Sequence, residues 1–276
     1  MIRLNLKKEA GNVDPQFVNL HTHSYYCGHG EGELSEYAYK AEKEGLKVLG
    51  FSEHCPVKEN RWRESRMDYS QFSNYIKDVI KLKNDYSGKL KILLGAECDW
   101  DLKNQYYSYY KDYLLSELGF DYLIIGSHCI NIGGEDLMVY KQSQSKLILH
   151  KYTDNLISAM QSGLFIIAAH PDLFANTYRI WDKEAIACSR AILECAEENG
   201  TCLEINGNGL RKEMIETPKG LRRPYPLEEF WELSKNYDIK VSTSSDAHKP
   251  EDVAKLQAGF EFAKNLNLNL SFYAFD

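Results

Sequence analysis

Seven short apolar runs punctuate the chain, at residues 17–20, 47–51, 90–96, 122–126, 164–169, 202–205 and 239–243. They are rich in Leu, Ile and Val and do not alternate with polar residues, which is the pattern of parallel strands buried on both faces. Between them, apolar positions recur at helical spacing over residues 34–44, 69–86, 103–118, 145–161, 183–199, 227–237 and 251–265. Gly45 stands where a helix C-terminus needs a residue free to turn left-handed, and Asp68 stands where the next helix needs a capping acceptor. Strand and helix alternating about seven times predict an α/β fold with a parallel sheet, open or closed into a barrel. No repeat or Pro/Gly-rich linker interrupts the pattern, and 276 residues suit one α/β barrel, so residues 1–276 are expected to form a single domain.

The polar residues that follow the apolar runs are not a random sample. In order they are His21 and His23, His54, Glu97, His128, His170, Glu204 and Asn206, then Asp246 and His248. An α/β barrel gathers the C-terminal ends of its strands at one mouth, so these residues would meet there although they lie far apart in sequence. Of eight histidines, six hold strand-end positions, a seventh (His29) follows in the loop after His23, and only His150 falls inside a predicted helix. Residues i and i+2 of an extended strand point to one side, so His21 and His23 can reach one ion. The same holds for Asp246 and His248 if the backbone stays extended; otherwise those two diverge. Imidazole with carboxylate suits Zn, Mn or Fe. The set exceeds what one ion needs, which argues for two or three divalent metal ions with Glu97 placed to bridge.

Composition narrows the partners. Charged residues make up 26% and the formal net charge is -7, with no basic block, so a large nucleic-acid surface is not expected. The aromatic stretch 106–113 reads as a packed helix face and not as a platform for bases. No window is long and apolar enough for a membrane span or a signal peptide. Seven cysteines without a C-x-x-C pair fit a reducing cytoplasm, where they serve as small core residues. Cys27, Cys55 and Cys129 adjoin the candidate ligands but are not counted among them. The sequence indicates no oligomeric state.

These residues resemble the polymerase-and-histidinol-phosphatase (PHP) superfamily of metal phosphoesterases, its histidinol-phosphatase branch above all. The resemblance is carried by HTHSYYCGHG (21–30), GFSEHCP (50–56), GAECDW (95–100), IGSHCI (125–130), AAHPDL (168–173 region), LEINGNGLRK (203–212) and SSDAHKPEDV (244–253), in the family's order over nearly the whole chain. It implies a distorted TIM-like (β/α)7 barrel with up to three metals. His21, His23, Glu97 and Asp246 would hold the first, Glu97, His128 and His170 the second, and His29, His54 and His248 the third. Pro171 and the stretch Asn206 to Gly209 depart from the family's usual residues beside the pocket, which touches substrate identity and leaves the ligands alone.

The chemistry expected is hydrolysis of a phosphate monoester by a metal-bridging hydroxide. The resemblance implies L-histidinol phosphate as the small phosphorylated substrate, with another small phosphate or nucleotide as the alternative. Asp246 and His248 are the catalytic candidates near the leaving group. Arg179 and Arg211 are candidates for the phosphate, and Glu204 either meets a substrate amine or buttresses the barrel. Arg61, Arg63 and Arg66 form a basic loop after His54 that is either surface or lid. Three other readings are weighed against this one. A polymerase exonuclease lacks its polymerase segment here, a non-catalytic barrel would lack ligands, and an amidohydrolase would want a bridging Lys where Glu97 stands.

Overall fold

The computed structural model describes residues 2–103 and 105–275; Met1, Asn104 and Asp276 lie outside the described residues, Asn104 within the helix expected over 103–118. Each apolar run becomes a parallel strand: β1 (Val18–Asn19), β2 (Val48–Phe51), β3 (Lys91–Cys98), β4 (Tyr122–Ile125), β5 (Ile167–Ala168), β6 (Cys202–Asn206) and β7 (Val241–Ser244). They form one sheet in simple sequence order, every neighbouring pair parallel. The intervening helices are α1 (Leu34–Lys43), α2 (Phe72–Asp85), α3 (Lys146–Gln161), α4 (Lys183–Asn199), α5 (Glu228–Ser234) and α6 (Gln257–Asn265). The result is a distorted (β/α)7 barrel.

The distortion lies at the seam between β1 and β7, which share no ladder. A single bridge joins Thr22 to Ala247, and the His23 amide donates to the Ala247 carbonyl at 2.8 Å. The Asn19 side chain does the rest: its amide donates to Ser245 Oγ (2.6 Å) and the Val253 carbonyl (2.9 Å), and its oxygen accepts from the Ser245 amide (3.2 Å). One buried side chain thus supplies the hydrogen bonds that a longer strand would have supplied, which satisfies backbone groups at the closure.

Strand alternation sorts the side chains into two environments. Leu49, Phe51, Ile92, Leu94, Leu123, Ile125, Leu203 and Ile205 face outward into the layer beneath the helices. Val18, Leu20, Val48, Leu93, Tyr122, Ile124, Ile167 and Cys202 belong to a separate inner cluster. That cluster is closed at the lower end by an antiparallel pair, Ile2–Asn5 with Phe272–Phe275, which brings in Ile2, Leu4 and Tyr273. Along β3 the inward positions read Leu93, Gly95, Glu97: apolar, then small, then charged. The small step is filled by Tyr122, whose hydroxyl donates to the Leu20 carbonyl at 2.7 Å. A Cβ on Gly95 would lie 2.3 Å from Tyr122 Cζ, and one on Gly50 would lie 2.2 Å from its oxygen. Two glycines therefore admit one tyrosine, which forms a floor between the apolar interior and the polar mouth.

Three expectations shift. The segment read as a helix over 103–118 is π-helical over Tyr109–Glu117, with the Leu118 amide bonded five residues back to Tyr113. Tyr109 and Tyr110 both donate to carbonyls of strand-end loops, Pro56 (2.8 Å) and Asp99 (2.7 Å). The last helix begins at Gln257 and not near Glu251, because the chain from Ser245 to Val253 is held against Asn19 and turns through Pro250–Asp252 first. Two hairpins, Cys129–Ile132 with Glu135–Met138 and Ile215–Thr217 with Gly220–Arg222, are too short and polar to show in the pattern. All seven cysteines are free and buried. Among the described residues no helix is long and apolar enough to cross a membrane.

The Gly95–Tyr122 contact makes a stability prediction. Gly95→Ala should destabilise the protein by about 1–3 kcal/mol, the usual cost of overpacking a filled interior. Urea unfolding of this variant and of the G95A/Y122A pair tests it, since removing the ring should recover part of the loss. An unchanged midpoint in G95A alone would show that Tyr122 is free to move aside.

Candidate metal centre

The strand ends deliver a cluster of donors at the top of the barrel. His21 Nε2 and His23 Nε2 are 3.0 Å apart. Glu97 Oε2 is 3.3 Å from each of them, and Asp246 Oδ1 is 3.5 and 3.4 Å away. Donors about 2.0–2.2 Å from one ion at tetrahedral angles stand roughly 3.3–3.6 Å apart. The four atoms come close to that spacing with no rearrangement. Neither Glu97 Oε2 nor Asp246 Oδ1 has a hydrogen-bond partner among the described residues, although both side chains are almost fully buried. Buried, unpaired carboxylate oxygens that converge with two imidazoles fit a divalent cation.

Glu97 also faces the other way. Its Oε1 lies 3.1 Å from His170 Nε2 and 3.5 Å from His128 Nε2. One carboxylate thereby presents a separate oxygen to each of two donor groups, which is the geometry of a bridge. The outer group is looser. His29 Nε2 and His248 Nε2 are 3.0 Å apart at the rim, and the His54 ring stacks at 5.3 Å from His29. His54 Nδ1 itself sits 2.9 Å from Glu97 Oε2, so His54 stands between the outer group and the bridge. Asp246 and His248 do diverge: Asp246 has φ 45°, not extended, and turns its carboxylate inward while His248 goes to the rim. His170 (φ 32°) and Ser127 (φ 44°), the residue before His128, share this left-handed backbone. Such conformations cost about 1–2 kcal/mol each in a non-glycine residue, so the packing around the mouth holds them.

Behind the donors lies an orienting layer that the strand-end pattern only partly revealed. Glu204 accepts from His21 Nδ1 (2.8 Å), Ser244 Oγ (2.5 Å), the His170 amide (3.1 Å) and Asn206 Nδ2 (2.8 Å). Holding Nδ1–H directs the free Nε2 of His21 at the cluster. Asn206 and Asn208 donate to Asp246 Oδ2 at 3.1 and 3.3 Å, which leaves Oδ1 facing inward. Glu53 accepts from the Ser24 amide and hydroxyl, and its second oxygen stands 3.8 Å from His23 Nδ1. Asp99 Oδ2 sits 3.6 Å from His128 Nδ1 and accepts from Arg66 at 2.6 Å.

The substrate-side expectations fare differently. Glu204 has both oxygens committed within the protein and only 1% exposure, so it buttresses the barrel and meets no substrate amine. Arg211 points away from the mouth: it donates to the Ser245 carbonyl at 2.8 Å and pairs with Asp252 at 3.4 Å. Arg179 is exposed, donates to the Asn176 and Glu216 carbonyls, and lines a neighbouring groove. Arg66 is buried against Asp99, Arg61 pairs with Asp101 and Asp136, and Arg63 pairs with Asp68, so these three form no basic lid. The mouth itself is a cavity of about 650 Å³ containing His29, His54, Glu97, His128, His170 and His248. Lys212 and Glu213 line it too. Only their place after β6 could have suggested them.

Charge divides the imidazoles. Burial pulls His21 down, but Glu204, Asp246 and Glu97 outweigh it and hold the ring well above its ordinary value. Burial pulls His23 down as well, but Asp246, Glu53 and Glu97 outweigh it and hold this ring, too, well above its ordinary value. Burial pushes Glu97 and Asp246 up, yet the surrounding histidines hold both well below the carboxylate range. Burial and the neighbouring His23 push His248 down to about 3 and lower His29 and His54 as well.

A divalent ion must displace protons from His21 and His23, whose raised affinities make that competition persist toward higher pH. Metal affinity should therefore fall as pH is lowered from about 8 to about 6, with protons released on binding. Calorimetric titration of stripped protein in two buffers of different ionisation enthalpy measures that release. A pH-independent affinity with no proton release would contradict the assignment, and Asp246→Asn should lower the metal bound per chain.

Known proteins are similar to this chain. A family model described as the PHP domain matches residues 19–208. The histidinol-phosphatase of Bacillus subtilis is 25% identical over 272 residues, spanning 87% of this chain and 96% of its own length. A Deinococcus radiodurans protein named "Probable histidinol-phosphatase" is 28% identical over 249 residues, 88% of each chain. The crystal structure of histidinol phosphate phosphatase from Lactococcus lactis, complexed with zinc, L-histidinol and phosphate, is 19% identical and superposes with a TM-score of 0.71 over 92% of this chain and 94% of that one, a likeness of fold. The family match runs from β1 to the turn after β6 and takes in seven of the donors gathered at the mouth, from His21 through His170; the chain belongs to the PHP domain family.

Proposed function

We propose that this chain is a metal-dependent phosphomonoesterase and that its substrate is L-histidinol phosphate. The observation that carries the reading is the shared carboxylate: Glu97 turns one oxygen to His21, His23 and Asp246 and the other to His128 and His170. His21, His23, Glu97 and Asp246 would hold one divalent ion, Glu97, His128 and His170 a second, and His29, His54 and His248 a third. Zn, Mn or Fe bound there supplies Lewis acidity toward phosphate oxygens and lowers the pKa of bound water.

The chain's own residues supply the rest. Asp246 is tied by Asn206 and Asn208 so that its inward oxygen keeps one position. His248 stands at the rim with its Nδ1 3.1 Å from the Asp246 carbonyl, which turns its Nε2 toward His29. Lys212 offers the mouth a cation with no ion pair among the described residues, and we assign it to the phosphate. Glu213 beside it offers a carboxylate to a substrate amine. Tyr225, Leu173 and Ile215 form an apolar wall against which an imidazole can lie. A phosphate ester of an amino alcohol with an aromatic ring calls for this combination of one cation, one anion and an apolar side.

The test is phosphate release by the metal-loaded protein from L-histidinol phosphate, nucleoside monophosphates and p-nitrophenyl phosphate. L-Histidinol phosphate should be preferred by about 100-fold or more in kcat/KM, and Lys212→Ala should raise its KM about tenfold or more. Equal, slow rates across the panel would remove histidinol phosphate while leaving a phosphatase of other small phosphates. No phosphate release from any ester would remove both.

A further inference from the structure

Beside the metal mouth, and separated from it by the Ile215–Arg222 hairpin, lies a second groove of about 1060 Å³. Ile215 faces the metal cavity, whereas Thr217, Lys219, Leu221 and Arg222 of the same hairpin face the groove. The size suits a small organic ligand. Its charge is unlike the rest of the molecule.

Among the arginines from Arg61 onward, Arg61, Arg63, Arg66 and Arg211 each face a carboxylate. Arg179, Arg190, Arg222 and Arg223 have no ion pair among the described residues, and all four line this one groove. Three of them are held by backbone carbonyls instead. Arg179 donates to Asn176 and Glu216, Arg222 to Ala175, Arg223 and Pro224, and Arg223 to Lys212. A carbonyl fixes a guanidinium without cancelling its charge, so the forks are pre-organised and still cationic. With Lys219 the lining carries five cations against Glu228, Glu229 and Glu232, in a chain whose net charge is -7. Lys219 and Glu229 are 4.0 Å apart, at the limit of an ion pair. The remaining walls include Ile180, Trp181, Leu221 and Phe262, apolar and partly open.

We infer that this groove is a second binding site, for a small organic anion that carries a diphosphate or equivalent multiple charge on an apolar or aromatic body. The arginine forks match phosphate oxygens, and Trp181 with Ile180 gives the body a surface to cover. The assignment does not depend on what the metal pocket hydrolyses. An occupant would lean on the hairpin whose opposite side forms part of the metal cavity.

The probes are ADP, inorganic pyrophosphate and adenosine, titrated calorimetrically into the metal-loaded protein. ADP should bind saturably and more tightly than pyrophosphate, adenosine should bind far more weakly, and added salt should weaken ADP. Arg190→Glu and Lys219→Glu, both exposed positions outside the metal pocket, should each weaken ADP about tenfold or more, while His128→Asn should leave it in place. Using two charge reversals on different elements guards against a local folding defect in either. Absence of saturable ADP binding at millimolar concentration would overturn the proposal. So would binding that is lost in His128→Asn and intact in Arg190→Glu, because the anion would then sit at the metal pocket. Pyrophosphate binding as tightly as ADP would overturn the apolar half of the assignment.

Discussion

Everything at the mouth is arranged around one buried carboxylate. Glu97 stands at the inward position above Gly95, 1% exposed, with imidazoles against both of its oxygens. An ionised carboxylate in such a place is tolerable only with positive charge beside it. Asp246, Glu204 and Glu53 are buried close by, and no Lys or Arg among the described residues reaches Glu97. Protonated histidines can neutralise the cluster in the absence of metal, which is why His21 and His23 are held above their ordinary value. Divalent ions do so with better geometry, since the donor spacings already match coordination distances.

That constraint reaches down into the barrel. Glu97 can occupy its position because β3 presents Leu93, Gly95 and Glu97 on one face, and the glycine makes room for Tyr122 to seal the apolar interior below. It also reaches outward. Two donors have their second atom held by a polar neighbour, His21 by Glu204 and Asp246 by Asn206 and Asn208, while Asp99, itself fixed by Arg66, stands 3.6 Å from His128 Nδ1. The left-handed turns at Ser127, His170 and Asp246 are the strained links in this frame. They are tolerable because Tyr152 ties down the His170 and Pro171 carbonyls and Arg211 ties down those of Ser245 and Asp246. The two arginines nearest the site by sequence thus differ in role, one structural and one facing another groove.

This difference marks where the sequence stops being informative. The seven strands were legible because both of their faces are buried, which leaves uninterrupted apolar runs. The donors were legible because a strand's last inward residue necessarily enters the mouth. Neither rule extends to loops. Arg179 and Arg211 lie farther along the loops after β5 and β6 than His170 does, and a long side chain in a loop is directed by local carbonyls and carboxylates that no spacing encodes. The strand pattern puts Glu204 at the mouth but does not separate its two roles, because the choice depends on Ser244 and the His170 amide, contributed by other elements. Glu53, next to His54, and Asp99, two residues beyond Glu97, carry no such signal: each faces the back of a histidine ring, where it orients and does not ligate.

The loop after β6 carries this argument furthest. Over a few residues it supplies Asn206 and Asn208 to Asp246, Arg211 to the closing loop, Lys212 and Glu213 to the cavity, and then the hairpin that divides the cavity from the arginine groove. The candidate donors, Glu97 among them, are set by rigid strand ends. Lys212 and Glu213, the groups proposed for a substrate's phosphate and amine, sit on this one connection, whose backbone is anchored at Gly209 by Asn206. Changes in this loop can therefore alter what enters the site while the strand-end donors and the bridge stay the same. A barrel built this way keeps its hydrolytic chemistry while its choice of ester varies, since specificity and charge neutralisation are carried by different elements of the fold.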